Sequence, residues 1–75
     1  MTRDIDIKSK DQVEKINRLA CETPYEVWLY DGTVMLDARS LLGLYALVGQ
    51  RVHVVTEDDI NPKSLNRLVK KMSAE

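Results

Sequence analysis

The chain offers few side chains with the types and spacing that catalysis or metal binding needs. It has one histidine, His53, and one cysteine, Cys21, which cannot form an internal disulfide or a Cys/His metal site. No paired nucleophile and base and no glycine-rich phosphate loop stands in the sequence. We therefore expect neither enzyme activity nor a cofactor or metal ion.

The few chemically interesting residues have structural interpretations. His53 alternates with Val52 and Val54, which predicts a solvent-side position on a strand. Cys21 is expected to be a small, half-buried residue near the end of a helix. The acidic run at residues 57–59 lacks the spacing of a calcium loop and should favour the N-terminus of the next helix.

Seven segments must position these residues, and their patterns identify them. Alternating or strand-forming residues predict strands over residues 3–8, 25–30, 33–36 and 51–56, and the Asp31-Gly32 pair predicts a hairpin. Ser9 and Gln12 form an S-x-x-Q capping box at the start of the first helix. Asn61 is the predicted N-cap of the last helix and Pro62 its first residue, and the apolar stripe of this helix is Leu65, Leu68, Val69 and Met72.

The middle helix, expected over residues 40–48, is apolar almost all the way round. Leu44 and Leu47 are expected to pack on the sheet. A thin helical layer cannot hide every leucine of this helix, so at least two of Leu41, Leu42 and Tyr45 should be exposed. Ser40 is expected to cap the helix by accepting a hydrogen bond from a backbone N–H.

The order β-α-β-β-α-β-α predicts an α+β fold with one four-stranded antiparallel sheet and three helices on one face. Residues 1–75 are expected to form a single domain. Net charge is −1 with pI near 5.8, which argues against nucleic acid as a partner. No basic start with a long apolar run and no stretch of membrane-span length occurs, so we expect a cytoplasmic protein that has no membrane partner.

The stretch DGTVMLDARSLLGLYALVGQRVHVV, residues 31–55, resembles the central block of HPr, the phosphocarrier of the bacterial sugar phosphotransferase system. The matching residues are a basic residue and serine, two apolar residues and glycine, followed by a short apolar helix and a strand. Here they are Arg39, Ser40, Leu41, Leu42 and Gly43. The resemblance implies the HPr-like open-faced β-sandwich.

The family's phosphoacceptor is a histidine at the start of the first helix, and this chain departs from the family there. Lys8, Ser9, Lys10, Asp11 and Gln12 occupy that region. A phosphoserine is not a high-energy donor, so the resemblance implies a member without carrier activity, as in paralogues of the Crh type.

The resemblance also implies a regulatory role through protein partners. Ser40 is the implied phosphorylation site, with Arg39 adjacent to pair with a phosphate, and Arg39, Leu41, Leu42 and Tyr45 are the implied partner-binding residues. The implied partners are phosphotransferase-system components, an HPr kinase or a transcriptional regulator. A different interpretation stays open: a dimerising α+β module, unrelated to sugar transport, that uses Trp28 and Tyr30 on the outer sheet face.

Overall fold

The computed structural model describes residues 1–73, in which the seven elements follow in the predicted order. The strands are β1 Thr2–Asp6, β2 Trp28–Tyr30, β3 Met35–Asp37 and β4 Arg51–Val55, and the helices are α1 Lys10–Glu22, α2 Leu41–Tyr45 and α3 Pro62–Ser73. The strands pair in the order β1-β4-β2-β3, antiparallel throughout. The predicted α+β class and helix-covered antiparallel sheet are confirmed.

The core lies between the helices and the inner face of the sheet. Successive strand side chains point to opposite faces, so Val52 and Val54 are fully buried while His53 between them is half-exposed. Helical positions three or four residues apart bury the matching stripe of each helix. From the helices, the core receives Val13, Ile16, Ala20, Leu44, Leu65, Leu68 and Met72. No helix within residues 1–73 is both long enough and apolar enough to cross a bilayer.

The start of α1 has the predicted cap in a modified form. The Ser9 hydroxyl accepts a hydrogen bond from the backbone N–H of Gln12 at 3.2 Å. The Gln12 side chain, however, accepts from the backbone N–H of Lys8 at 2.8 Å and donates to the carbonyl oxygens of Asp6 and Met72. Gln12 is buried, and it joins the end of β1 and the end of α3 to the first turn of α1.

The hairpin between β2 and β3 has a longer loop than the sequence predicted. Tyr30 pairs with Met35, so the return strand begins two residues later than expected. The Asp31 carboxylate accepts hydrogen bonds at 2.8 Å from the backbone N–H groups of Thr33 and Val34, which lowers the pKa of Asp31. Gly32 supplies the left-handed conformation that the loop requires, with φ of 99°.

The middle helix is shorter than predicted. Only Leu41–Tyr45 is α-helical, because the backbone then tightens: the N–H of Leu47 bonds to the carbonyl of Leu44, and that of Gln50 to Leu47. Gly49, at φ of 90°, ends this turn. Leu44 and Leu47 are both buried, as predicted.

Candidate functional site

The residues implied as a binding site lie together on one stretch of surface. We call it the α2 surface, and its members are Arg39, Ser40, Leu41, Leu42 and Tyr45. The first two are exposed and lie in the loop before α2, and the other three are on α2 itself. Leu42 is 85% exposed, whereas Leu44, two positions along the same helix, is fully buried. The helix therefore keeps one leucine in the core and presents another to solvent.

The expectation that two of the three apolar residues would be exposed is wrong. Leu41 and Tyr45 are each half-buried, and Leu42 alone is exposed. Tyr45 is covered because it packs against α1: its hydroxyl donates to the Glu14 carboxylate at 2.9 Å, and Lys10 Nζ lies 5.7 Å from its ring centroid. The hydrogen bond to Glu14 raises the pKa of Tyr45.

Ser40 does not cap α2 through its side chain, so that prediction is also wrong. Its backbone, at φ of −93° and ψ of 90°, departs from the extended geometry of a usual N-cap residue, and its hydroxyl makes no capping hydrogen bond. The backbone holds it in place, since its N–H donates to the carbonyl of Asp37 at 2.9 Å and its own carbonyl accepts from Leu44. The hydroxyl of Ser40 is thus left exposed without a capping role.

Arg39 is held by two carboxylates. Its guanidinium donates to both oxygens of Asp37, at 3.1 and 3.2 Å, and to Glu26. The hydrogen bonds from Arg39 lower the pKa of Asp37, and the same interactions, with the charge of Glu26, raise the pKa of Arg39. The guanidinium of Arg39 is therefore already paired with two carboxylates.

Helix α1 fixes the position of the α2 surface. The Asn17 side chain donates to the carbonyl of Ala38 at 3.2 Å, which holds the loop before α2. Sequence reasoning missed Asn17, Lys10 and Glu14 as supports of this surface. Lys10 and Glu14 lie four residues apart, so they share one face of α1, and that spacing was the available signal.

The start of α1, where the resemblance places a phosphoacceptor histidine, carries Ser9. Its hydroxyl is engaged with the backbone N–H of Gln12, and the N–H of Lys8 is satisfied by the Gln12 side chain. His53 lies in β4, and its imidazole is within hydrogen-bond distance of the Asp4 carboxylate on β1. Since its neighbours Val52 and Val54 point to the core beneath the helices, the imidazole of His53 lies on the outer sheet face.

The remaining predicted residues fall elsewhere. Cys21 is exposed at the end of α1 rather than half-buried as expected. Trp28 and Tyr30 lie on the outer sheet face and are both half-buried, and Tyr30 lies beside His53 with ring centroids 6.1 Å apart. Within residues 1–73, no group of three or more histidine, cysteine, aspartate or glutamate side chains has an arrangement that could hold a metal ion.

Comparison with known proteins gives likenesses of fold. No protein-family model and no curated protein matches the chain. The structure of HPr-C-His from Thermoanaerobacter tengcongensis matches with a TM-score of 0.73 and 21% identity, over 100% of this chain and 98% of that one. The phosphocarrier protein HPr from Bacillus anthracis str. Ames matches with a TM-score of 0.72 and 14% identity, over 95% and 94% of the two chains. The chain therefore has the HPr-like fold that the resemblance implied.

Proposed function

We propose that this chain, with its HPr-like fold, is a regulatory protein-binding domain of the sugar phosphotransferase system and not a competent histidine phosphocarrier. In this proposal residues 1–75 act as one cytoplasmic domain. The observation that carries it is the α2 surface, where Leu42 is 85% exposed two residues after an exposed serine hydroxyl. Leu42 does not stand alone, because Leu41 and Tyr45 beside it are half-buried, and a contiguous apolar patch of this kind marks a surface that a partner can cover.

The start of α1 supports the absence of carrier activity. A histidine carrier needs a neutral imidazole nitrogen as the nucleophile, next to helix N–H groups that hold the phosphate. Here Ser9 stands at the helix start, with its hydroxyl accepting from Gln12. The imidazole of His53 is on the outer face of the sheet, away from the α1 N–H groups.

The α2 surface has the composition of a small docking site. Leu42 supplies an apolar contact that a partner pocket can enclose, with the half-buried Leu41 and Tyr45 beside it. Arg39 supplies polar contacts at the edge, where its guanidinium is paired with Asp37 and Glu26. A phosphotransferase-system component, an HPr kinase or a transcriptional regulator is the partner proposed.

Phosphorylation of Ser40 is the proposed means of regulating partner binding at the α2 surface. A kinase would transfer the γ-phosphoryl group of ATP to the Ser40 hydroxyl oxygen, with release of ADP and the hydroxyl proton. The product carries about −1.5 to −2 charge at pH 7. Because α2 has only five residues, its dipole stabilises the phosphate weakly, and the main attraction comes from Arg39. Phosphorylation should therefore draw Arg39 away from Glu26 and change the edge of the docking site.

A binding titration tests the docking role. The ¹⁵N-labelled protein is titrated with purified enzyme I and, separately, with HPr kinase, and amide shifts are followed. We expect saturable shifts centred on residues 39–45, and we expect Leu42→Glu to weaken binding about tenfold or more. The matched control is Val34→Glu, which places the same charge on another exposed apolar residue, in the hairpin loop. Equal losses in both variants, or no shifts in α2 with either protein, would refute the docking site.

A kinase assay tests whether Ser40 is phosphorylated. The protein is incubated with ATP and HPr kinase, and tryptic peptides are analysed by mass spectrometry. Phosphate on the peptide that contains Ser40, absent from the Ser40→Ala variant, is the expected result. Phosphate on Ser9 or Ser64 in place of Ser40 would show that the α2 surface is not the regulated site.

The dimerising module remains the second candidate because of the outer sheet face. Tyr30 pairs with Met35, which is 51% exposed, and Trp28 is the next residue of β2 on that face. A second copy could cover this aromatic face. Sedimentation at several concentrations decides between the candidates: a dimer that Trp28→Ala dissociates favours the module, whereas a concentration-independent monomer removes it.

A further inference from the structure

An open groove of about 330 Å³ lies between the end of α1 and α3. It is formed by other residues than those of the α2 surface. Its apolar lining includes Leu19, Tyr25 and Leu68. Leu19 and Tyr25 are half-buried, and Leu68 is buried. The hydroxyl of Tyr25, whose pKa is raised by burial, can donate a hydrogen bond. The groove is wide enough to receive one large apolar side chain from another molecule.

The edge of the groove on α3 is positively charged. Arg67 and Lys71 line it, and because they are four residues apart they lie on one face of the helix. All of α3, Pro62–Ser73, carries Lys63, Arg67, Lys70 and Lys71 and no acidic residue, although the whole chain has a net charge of −1. Glu22, at the end of α1, is the acidic residue in the groove lining.

We propose that this groove binds an acidic segment of a partner protein, with one large apolar side chain inserted between α1 and α3 and flanking carboxylates near Arg67 and Lys71. The charge of α3 selects this occupant. A second copy would present the same basic helix, and like charges repel. A membrane surface is disfavoured because the apolar stripe of α3, including Leu65 and Met72, is buried in the core and has nothing to insert.

The test uses synthetic acidic pentapeptides of the form Glu-Glu-X-Glu-Glu, with X as leucine, phenylalanine or alanine. Each is titrated into the ¹⁵N-labelled full chain up to about 1 mM, the range of a weak peptide contact. We expect the leucine or phenylalanine peptide to shift the amides of Leu19, Tyr25 and Leu68 saturably, and the alanine peptide to bind at least about threefold more weakly. Binding should weaken as salt is raised.

Four variants make the test specific. Arg67→Glu reverses a charge in the groove lining and should weaken binding about tenfold. Lys70→Glu is the matched control, since Lys70 is on the same helix but is not part of the lining. This variant should lose clearly less peptide affinity than Arg67→Glu. Glu22→Gln removes the acidic residue of the lining and should strengthen binding about twofold. Leu42→Glu should leave peptide binding unchanged, which separates this groove from the α2 surface.

Each other outcome overturns the proposal. Absence of shifts in the groove with both the leucine and phenylalanine peptides removes it. If Arg67→Glu and Lys70→Glu lost equal peptide affinity, the peptide would be attracted to the whole basic helix and would not use the groove. If vesicles of anionic lipid or a single-stranded RNA shift the groove residues and the peptides do not, the occupant is of another class. Self-association that Arg67→Glu abolishes would identify a second copy in its place.

Discussion

Arg39 donates hydrogen bonds to Asp37 from both its backbone N–H, at 2.9 Å, and its guanidinium. The two residues stand at the point where β3 ends and the loop to α2 begins. The same guanidinium also reaches Glu26, thirteen residues earlier in the chain. This relationship holds the loop that carries Ser40, and it sets how the proposed site responds to pH and to substitution.

The first prediction concerns the acid titration of Asp37. Carbon-detected NMR should give its carboxyl a pKa below the ordinary value of about 3.9, because Arg39 stabilises the ionised form. The folded pKa lies below the unfolded one, so the stabilisation is present above about pH 4 and is lost as pH falls through the folded pKa. The difference in urea midpoint between wild type and Arg39→Gln should therefore shrink below pH 4.

Arg39→Gln should raise the pKa of Asp37 towards its ordinary value. Asp31 is the internal control, because backbone N–H groups of Val34 and Thr33 lower its pKa and Arg39 takes no part. An Asp37 that titrates at its ordinary value in the wild type contradicts the account, as does an Asp31 that follows Asp37 in the variant.

The second prediction concerns Gln12, which joins β1, α1 and α3. Gln12→Ala removes three hydrogen bonds and leaves the Lys8 N–H and two carbonyl groups without that partner, so it should cost about 3 kcal/mol in the free energy of unfolding. The matched control is Gln50→Ala, because Gln50 is exposed and its amide donates to Ala46 alone. That variant should cost less than about 1 kcal/mol. Urea unfolding measures both, and similar losses would refute a structural role for Gln12.

The third prediction compares two leucines of α2. Leu44→Ala should lower the free energy of unfolding by about 2–5 kcal/mol, because the side chain is fully buried and its removal leaves a cavity. Leu42→Ala, on the same helix and 85% exposed, should change it by less than about 0.5 kcal/mol. If Leu42→Ala were as destabilising as Leu44→Ala, Leu42 would be a packing residue and not a docking residue.

The fourth prediction separates two glycines near α2. A Cβ at Gly43 would lie 3.6 Å from both a Leu36 methyl carbon and the Ser40 hydroxyl, which is ordinary contact, so Gly43→Ala should be neutral or stabilise by up to about 1 kcal/mol. Gly49 has φ of 90°, so Gly49→Ala should destabilise by about 1 kcal/mol. Thermal unfolding measures both. A strongly destabilised Gly43→Ala would show that the helix does not have this space.

Sequence patterns were sufficient to predict the order of the elements, because period and capping residues are local. Val52 and Val54 alternate with His53, and Asn61 caps α3 by accepting from the N–H of Lys63, as predicted. The short length of α2 could not be predicted from such local patterns. The chain tightens after Tyr45, while the sequence LLGLYALVG continues an apolar helical pattern.

The candidate site was predicted less well because its details depend on contacts between distant residues. Tyr45 is half-buried since Glu14 and Lys10, more than thirty residues earlier, contact it. Arg39 is engaged by Glu26, from the segment before β2. The wrong prediction for Ser40 has another cause. Capping depends on backbone angles, and Ser40 lies at the end of a tight turn, in which its N–H donates to the carbonyl of Asp37 and its angles are not those of a usual N-cap.

The most direct test of the account is whether the protein accepts a phosphoryl group from enzyme I. The protein is incubated with phosphoenolpyruvate and enzyme I, with an HPr as the positive control, and acid-labile phosphate is measured by intact-protein mass spectrometry at neutral pH. The account predicts no phosphorylated species while the control is fully modified. Acid-labile phosphate on this protein that His53→Ala abolishes would contradict it.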